Sequence, residues 1–326
     1  MRQTTLRLTA LLSATALLSA CGGGSKTVLN TGPNGLPFAQ AGLTLNQGFI
    51  TGTYAGIPFT TKASSSRSTL NGGATGFNNA QLESSGDVTV TVLSSPLRIR
   101  ISSAALGTRT LTATGGTGAN GETLFDDGAG TTGLFGVSGA GTTNQSVFFA
   151  YVNETAAAGG INFSDTFLVS GLETDSTSVA AQSNPTATYT GPAQMLTRQT
   201  NGATINGPLN VLNSPTGLNL NVDFSAASNQ VTGTISGATD AGLGGGTMTL
   251  TLVPATITGN SFSTTFTAAH TGQTGTAIGM SNTQLTGVFY GNNADEMGGT
   301  FNAQLDVSGT NIPETTNGSG FFLGQD

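Results

Sequence analysis

The sequence predicts an all-β protein, with an N-terminal β-rich handle domain followed by a C-terminal eight-stranded antiparallel β-barrel. Three observations carry this expectation. Charged residues make up only 8% of the chain, so the strong helix formers Glu, Lys and Arg are scarce, while β-branched Thr and Val abound. The chain holds 49 glycines and no tryptophan among its 326 residues, a composition close to secreted or surface-exposed β-proteins and far from a cytosolic enzyme. Apolar and polar residues alternate with period two in many short runs, the pattern of half-buried strands.

Residues 1–20 stand outside that fold. Arg2 and Arg7 make a positive leading segment, and Leu8 to Leu18 supply an apolar run too short to span a bilayer, the proportions of a cleaved signal peptide. The run Leu18-Ser19-Ala20-Cys21 resembles a lipobox. That resemblance implies that Cys21, the single cysteine, is diacylated on sulfur and becomes the acylated mature N-terminus, so lipid anchors the protein and no segment spans the membrane. Residues 21–37, opening on Gly22-Gly23-Gly24-Ser25, read as a flexible tether. No aspartate follows Cys21 to hold the lipoprotein in an inner membrane, and the outer membrane is the expected destination. With its thiol lipidated, the chain has no disulfide, thiolate metal site or cysteine nucleophile.

The handle is expected over residues 38–183. Val88-Thr89-Val90-Thr91-Val92 and Leu97-Arg98-Ile99-Arg100-Ile101, joined through Ser94-Ser95-Pro96, read as a hairpin with one apolar and one wet face. Ser146 to Val152 and Phe163 to Leu168 are further strands, separated by glycine-rich loops at 115–121 and 136–141. Gly116-x-Gly118-x-x-Gly121 formally matches a dinucleotide fingerprint, but neither an apolar strand before it nor a helix after it is present. Asp126-Asp127-Gly128 lacks the regular oxygen-ligand spacing of a calcium loop and reads as a solvated turn.

The barrel is expected over residues 184–310, with 311–326 as a C-terminal tail. Leu218 to Phe224 alternates strictly, turns over 225–230 and returns as Val231 to Ile235. Thr186 to Thr190, Leu209 to Leu212, Met248 to Leu252, Ala255 to Phe266, Gln284 to Tyr290 and Phe301 to Val307 bring the total to eight runs. Closing them into an up-and-down barrel removes exposed edges, which a protein outside the cell must avoid.

Charge narrows the function. Beyond the signal peptide the basic residues are Lys26, Lys62, Arg67, Arg98, Arg100, Arg109 and Arg198, and residues 199–326 carry seven acids against one histidine. Such a surface repels phosphate backbones, which argues against nucleic acid. It also lacks the cationic groups that grip carboxylate-bearing ligands. Nothing points to catalysis, a cofactor or a metal: His270 is the single histidine, a lone imidazole with no cysteine partner, and reads as a surface or loop residue. The adjacent acids Asp126-Asp127 and Asp295-Glu296 point to opposite faces on a strand, or face water in a turn.

Gly287-Val288-Phe289-Tyr290-Gly291-Asn292-Asn293-Ala294-Asp295-Glu296-Met297-Gly298-Gly299-Thr300-Phe301 resembles the G-x-F-F/Y-G-P-x-A-x-E-x-G-G-x-F signature of transferrin-binding-protein B-like β-barrel lipoproteins. Asn292 stands where the family usually has proline. Val169-Ser170-Gly171-Leu172-Glu173-Thr174 and Thr186-Ala187-Thr188-Tyr189-Thr190-Gly191 resemble the segments that lead into the family's barrel and form its first strand. The signature suits a structural role: a strand ends at Tyr290, residues 291–294 turn, Gly298-Gly299 allow close packing, and Glu296 is placed to accept hydrogen bonds from turn amides. The resemblance implies a surface lipoprotein with one handle and one barrel, binding a protein or solute partner, with iron acquisition as the setting in the best-known members. It also implies delivery by the surface lipoprotein assembly machinery. The alternative is a structural or adhesive surface lipoprotein without a small-molecule ligand.

Overall fold

The computed structural model describes residues 58–61, 65–70, 77–83, 88–93, 98–103, 107–117, 123–128, 131–137, 146–157, 160–201, 204–272, 278–307 and 315–326. Cys21, the tether and the glycines at 118 and 121 lie outside them. The described residues are nearly all β, in two antiparallel sheets of ten strands each.

The first sheet is the handle. It holds β1 (Pro58–Thr61), β2 (Ser65–Leu70), β3 (Phe77–Glu83), β4 (Val88–Leu93), β5 (Arg98–Ser103), β6 (Gly107–Thr117), β7 (Thr123–Asp126), β8 (Thr131–Val137), β9 (Ser146–Ala157) and β10 (Gly160–Gly171). Its order is β1-β4-β5-β6-β7-β8-β9-β10-β2-β3, so β4 to β10 run as a meander of sequential neighbours. The hairpin expected from the alternation is β4 and β5, with Val90 opposite Ile101 and Val92 opposite Ile99. Period two then sorts the faces: Ile99, Ile101, Leu111 and Phe125 are buried, while Arg100, Thr108, Thr110 and Asp126 are exposed.

A short helix, α1 (Ser176–Ala180), links handle to barrel. Asp175 caps it, accepting from the Thr177 backbone N–H at 2.7 Å and from its hydroxyl. Those two bonds, the hydroxyl's first, hold the Asp175 carboxyl below its usual range.

The second sheet closes on itself. Its strands are β11 (Thr186–Asn201), β12 (Thr204–Asp223), β13 (Gln230–Ala238), β14 (Thr247–Leu252), β15 (Ala255–Thr258), β16 (Ser261–Thr264), β17 (Phe266–Thr271), β18 (Ile278–Tyr290), β19 (Glu296–Val307) and β20 (Thr315–Gln325). Pairing runs from β11 through β12, β13, β15, β16, β18, β19 and β20 back to β11, an eight-stranded antiparallel ring. β14 and β17 pair with each other and continue the lines of β15 and β16 past breaks at Val253-Pro254 and Thr265. Pro254 has no N–H to offer a ladder, and the Val253 N–H reaches Thr265 O at 3.0 Å across the break.

Three expectations are corrected in detail. Leu209 to Leu212 and Leu218 to Phe224 are not two strands: 204–223 is one long β12 with a register shift between Asn213 and Leu218. Ala255 to Phe266 is not one strand but turns sharply at Gly259-Asn260, so that β15 pairs back on β16. Residues 311–326 are not a tail, because Thr315–Gln325 is the strand that closes the barrel between β19 and β11. Its glycines are needed for packing: a Cβ at Gly320 would stand 2.1 Å from the Gln194 carbonyl oxygen.

The barrel interior is filled by its own side chains. Met195, Leu218, Leu220, Val231, Ile235, Leu250, Met297 and Phe322 have no measurable exposure. Phe289 lies at their centre, with the rings of Phe224, Phe262 and Tyr189 at 5.4, 5.8 and 6.0 Å.

Candidate functional site

The signature residues gather at one end of the barrel, where strands β18 and β19 meet the handle. Gly287, Val288, Phe289 and Tyr290 close β18, residues 291–295 make the turn, and Glu296 to Phe301 open β19. Tyr290 and Glu296 face each other in register across this hairpin. Gly291 takes φ +92° and Ala294 φ +57°, left-handed conformations that tighten the turn.

The two resembling segments, more than a hundred residues apart in sequence, are joined here. Leu172 O accepts the Gly291 N–H at 3.0 Å, the Thr174 N–H donates to Phe289 O at 2.9 Å, and the Thr174 hydroxyl donates to Gly291 O at 2.8 Å. Glu173 bridges Tyr290 as an extra antiparallel pair. Buried Asn260 completes the tie, donating to Glu173 Oε2 at 2.8 Å and Thr174 O at 3.0 Å, while its own carbonyl accepts the Phe289 N–H at 2.9 Å. On the first barrel strand, the hydroxyl of buried Tyr189 donates to Ala294 O. Burial first, then the charges of Asp326 and Asp295, push that phenol far above its usual range.

Glu296 has a longer reach than the sequence suggested. Its Oε2 accepts the Ser146 backbone N–H at 2.8 Å and the Ser146 hydroxyl at 2.6 Å, and its Oε1 accepts Gln325 Nε2 at 3.3 Å. The carboxylate is fully buried and does not face water. It joins the barrel to the first residue of handle strand β9. Around it the outer barrel face is dry: Val288, Tyr290, Phe321 and Leu323 pack against Phe148, Phe167 and Val169 of β9 and β10. Phe148 stacks on Phe321 with centroids 4.3 Å apart and planes at 11°. A Cβ at Gly298 would stand 2.8 Å from Val169, and one at Gly299 would stand 2.0 Å from Thr286 O. The Tyr290 hydroxyl is buried without a hydrogen-bond partner among the described residues. Burial, then Glu173 and Glu296, raise its pKa well above the usual phenol value.

Phe289 and Phe301 of the same signature face the other way, into the barrel core. The signature is thus a two-sided device: Phe289, Met297 and Phe301 fill the barrel, while Val288, Tyr290, Glu296 and Gly298 receive the handle. Ser146, Asn260, Phe148, Phe321 and Gln325 were not singled out from the sequence. Phe321-Phe322-Leu323, an apolar triplet in the supposed tail, was the available signal for two-sided burial.

The other candidates are dispersed. Asp126 is exposed and its Oδ1 accepts the Gly128 N–H at 3.1 Å, while Asp127 accepts from Arg109 at 3.4 Å. Asp295 is partly exposed, and its carbonyl accepts the Asp326 N–H at 3.1 Å. His270 lies within β17, with Nε2 2.9 Å from Gly245 O. Among the described residues no three His, Cys, Asp or Glu side chains group so as to hold a metal ion.

An all-β body with a closed barrel and a docked β handle, joined at a buried hydrogen-bonded seam, is what this arrangement defines. The model of the family described as C-lobe and N-lobe beta barrels of Tf-binding protein B matches residues 182–322. Residues 182–322 are therefore similar to the barrels of that family. Among solved structures, transferrin binding protein B of Neisseria meningitidis is similar at 15% identity over 81% of this chain and 58% of that one, with a TM-score of 0.35. A double mutant of the Haemophilus parasuis protein of the same name is similar at 15% identity over 80% and 44%, with a TM-score of 0.39. The haemoglobin receptor HpuA of Kingella denitrificans is similar at 13% identity over 89% and 94%, with a TM-score of 0.31. The chain thus spans 58% and 44% of the two transferrin binding protein B chains. No curated protein matches the sequence.

Proposed function

We propose that the protein is a non-enzymatic lipoprotein of the outer membrane, anchored through Cys21 and displayed at the cell surface, where it captures a protein or solute ligand for iron or nutrient acquisition. The observation that supports this reading most is the match of residues 182–322 to barrels of Tf-binding protein B, in a chain whose residues 18–21 resemble a lipobox. The packed barrel interior favours ligand contact on outer surfaces and loops over a cavity, since an eight-stranded barrel has room only for its own side chains or one small ligand. Delivery to the surface falls to the lipoprotein assembly machinery. The family's name makes iron-carrying host proteins the first ligands to try.

The test is capture by a soluble form lacking residues 1–21, presented with transferrin, haemoglobin and mixtures of host and growth-medium proteins. Saturable retention of one component is expected. Retention of nothing across all of them refutes the ligand-binding reading and leaves a structural or adhesive lipoprotein.

A further inference from the structure

Two of the chain's few basic residues share one face of one handle strand. Arg98 and Arg100 sit two residues apart on β5, on the face opposite buried Ile99 and Ile101. In register, Arg98 lies opposite Thr112 and Arg100 opposite Thr110 of β6, and the next pair is Ser102 and Thr108, whose hydroxyls hydrogen-bond at 2.8 Å. Arg100, Thr108 and Thr110 are exposed. Arg109 belongs to the other face, opposite Ile101, where its guanidinium is paired with Asp127. Arg98 and Arg100 have no such pairing among the described residues, and Arg98 Nε is buried with no hydrogen-bond partner. The carboxylate on their side, Asp126, lies opposite Thr112, two strands from Arg98, and is engaged by the Gly128 N–H. In a chain of net charge -7, two guanidinium groups without a carboxylate partner among the described residues, half-buried Arg98 and exposed Arg100, share one hydroxyl-lined sheet face and form a local exception to the surrounding field.

We propose that this face of β5 and β6 is a docking surface for an extended acidic segment of a partner protein, with carboxylates at alternate positions. The spacing selects that occupant. Residues i and i+2 of a strand are about 6.8 Å apart and share a face, so a second extended chain carrying acids at i and i+2 presents its carboxylates at the same interval as Arg98 and Arg100. Each guanidinium can take a carboxylate through paired N–H donors. The neighbouring threonine hydroxyls can donate to or accept from the backbone between the acids. The proposal deepens the ligand-binding reading and rests on it, moving the contact from barrel loops to the handle sheet.

The experiment is titration of the full chain, in detergent and at low ionic strength, with two peptides of identical Glu and Thr content. In one the two residues alternate strictly; in the other the Glu residues form a single block. The alternating peptide should bind at least about threefold more tightly, and Arg98→Gln and Arg100→Gln should each weaken it about two- to fivefold, the scale of an exposed ion pair. Arg109→Gln, on the opposite face, should leave it unchanged. Because Arg100 is exposed, Arg100→Gln leaves the fold intact and is decisive by itself. Equal affinity for the two peptides, undiminished binding by Arg100→Gln, or a preference for a heparin oligosaccharide over both peptides would overturn the proposal. Any of these outcomes leaves capture of a ligand elsewhere on the protein intact, so the two readings fail separately.

Discussion

Removing the Glu296 carboxylate should loosen the handle from the barrel. Two of its hydrogen bonds, from Ser146 at 2.8 and 2.6 Å, are charge-assisted and buried in the seam, and a third, from Gln325 at 3.3 Å, is part-buried. Bonds to a charged acceptor contribute about 1.5–3 kcal/mol each, and a buried N–H left unpaired costs about 1–3 kcal/mol. Glu296→Ala therefore should cost about 3–5 kcal/mol, the longest bond adding little, out of a typical stability of about 5–15 kcal/mol. Glu296→Gln keeps the shape and one acceptor oxygen for Ser146, and should cost about 1–2 kcal/mol. Ser146→Ala in the Glu296→Ala background should add much less than it does alone, because both side chains serve one contact. Urea unfolding followed by circular dichroism measures the losses, and limited proteolysis should show cleavage between handle and barrel in Glu296→Ala before either part is digested. A Glu296→Ala protein within about 0.5 kcal/mol of the parent, or strictly additive losses in the double variant, would refute the reasoning.

The two buried tyrosines should behave differently. Tyr189→Phe removes the bond to Ala294 O and should cost about 1–2 kcal/mol, whereas Tyr290→Phe deletes a buried hydroxyl without a partner and should be neutral or slightly stabilising. Both phenols have pKa values raised by burial, so the folded state retains protons that the unfolded chain releases near pH 10. Stability should be complete below about pH 10 and fall above it by about 1.4 kcal/mol per pH unit for each tyrosine, with either Phe variant flattening the fall; a flat profile in the parent contradicts this. Gly320→Val should prevent barrel closure, since its Cβ would stand 2.1 Å from Gln194 O; recovery of a cooperatively folded variant would remove β20 from the closing position. Cys21→Ala should move the protein out of the membrane fraction, and continued detergent-phase partitioning would exclude the lipid anchor.

Strict alternation is readable because one face of each such strand is wet. Leu218 to Asp223 and Met248 to Leu252 alternate buried with exposed or half-buried positions in the structure, and the sequence shows the same rhythm. Where the handle covers the barrel's outer face, that rhythm disappears. In β19 every residue from Glu296 to Ala303 is buried, and in β20 every one from Asn317 to Gly324 is buried, so neither alternates and glycines fill positions with no room for a side chain. Asn-Gly-Ser-Gly consequently imitates a tail. The signature was visible as a motif, but its partner Ser146 was not, because a serine 150 residues away carries no local sign that its amide and hydroxyl end on a carboxylate.

Protease shaving of intact cells tests surface display most directly, with the Cys21→Ala variant alongside. The parent protein should be cleaved together with known surface proteins while periplasmic markers remain whole, and the unlipidated variant should be absent from the cell surface. A parent protein that survives untouched while surface proteins are digested would place it facing the periplasm and contradict the receptor reading.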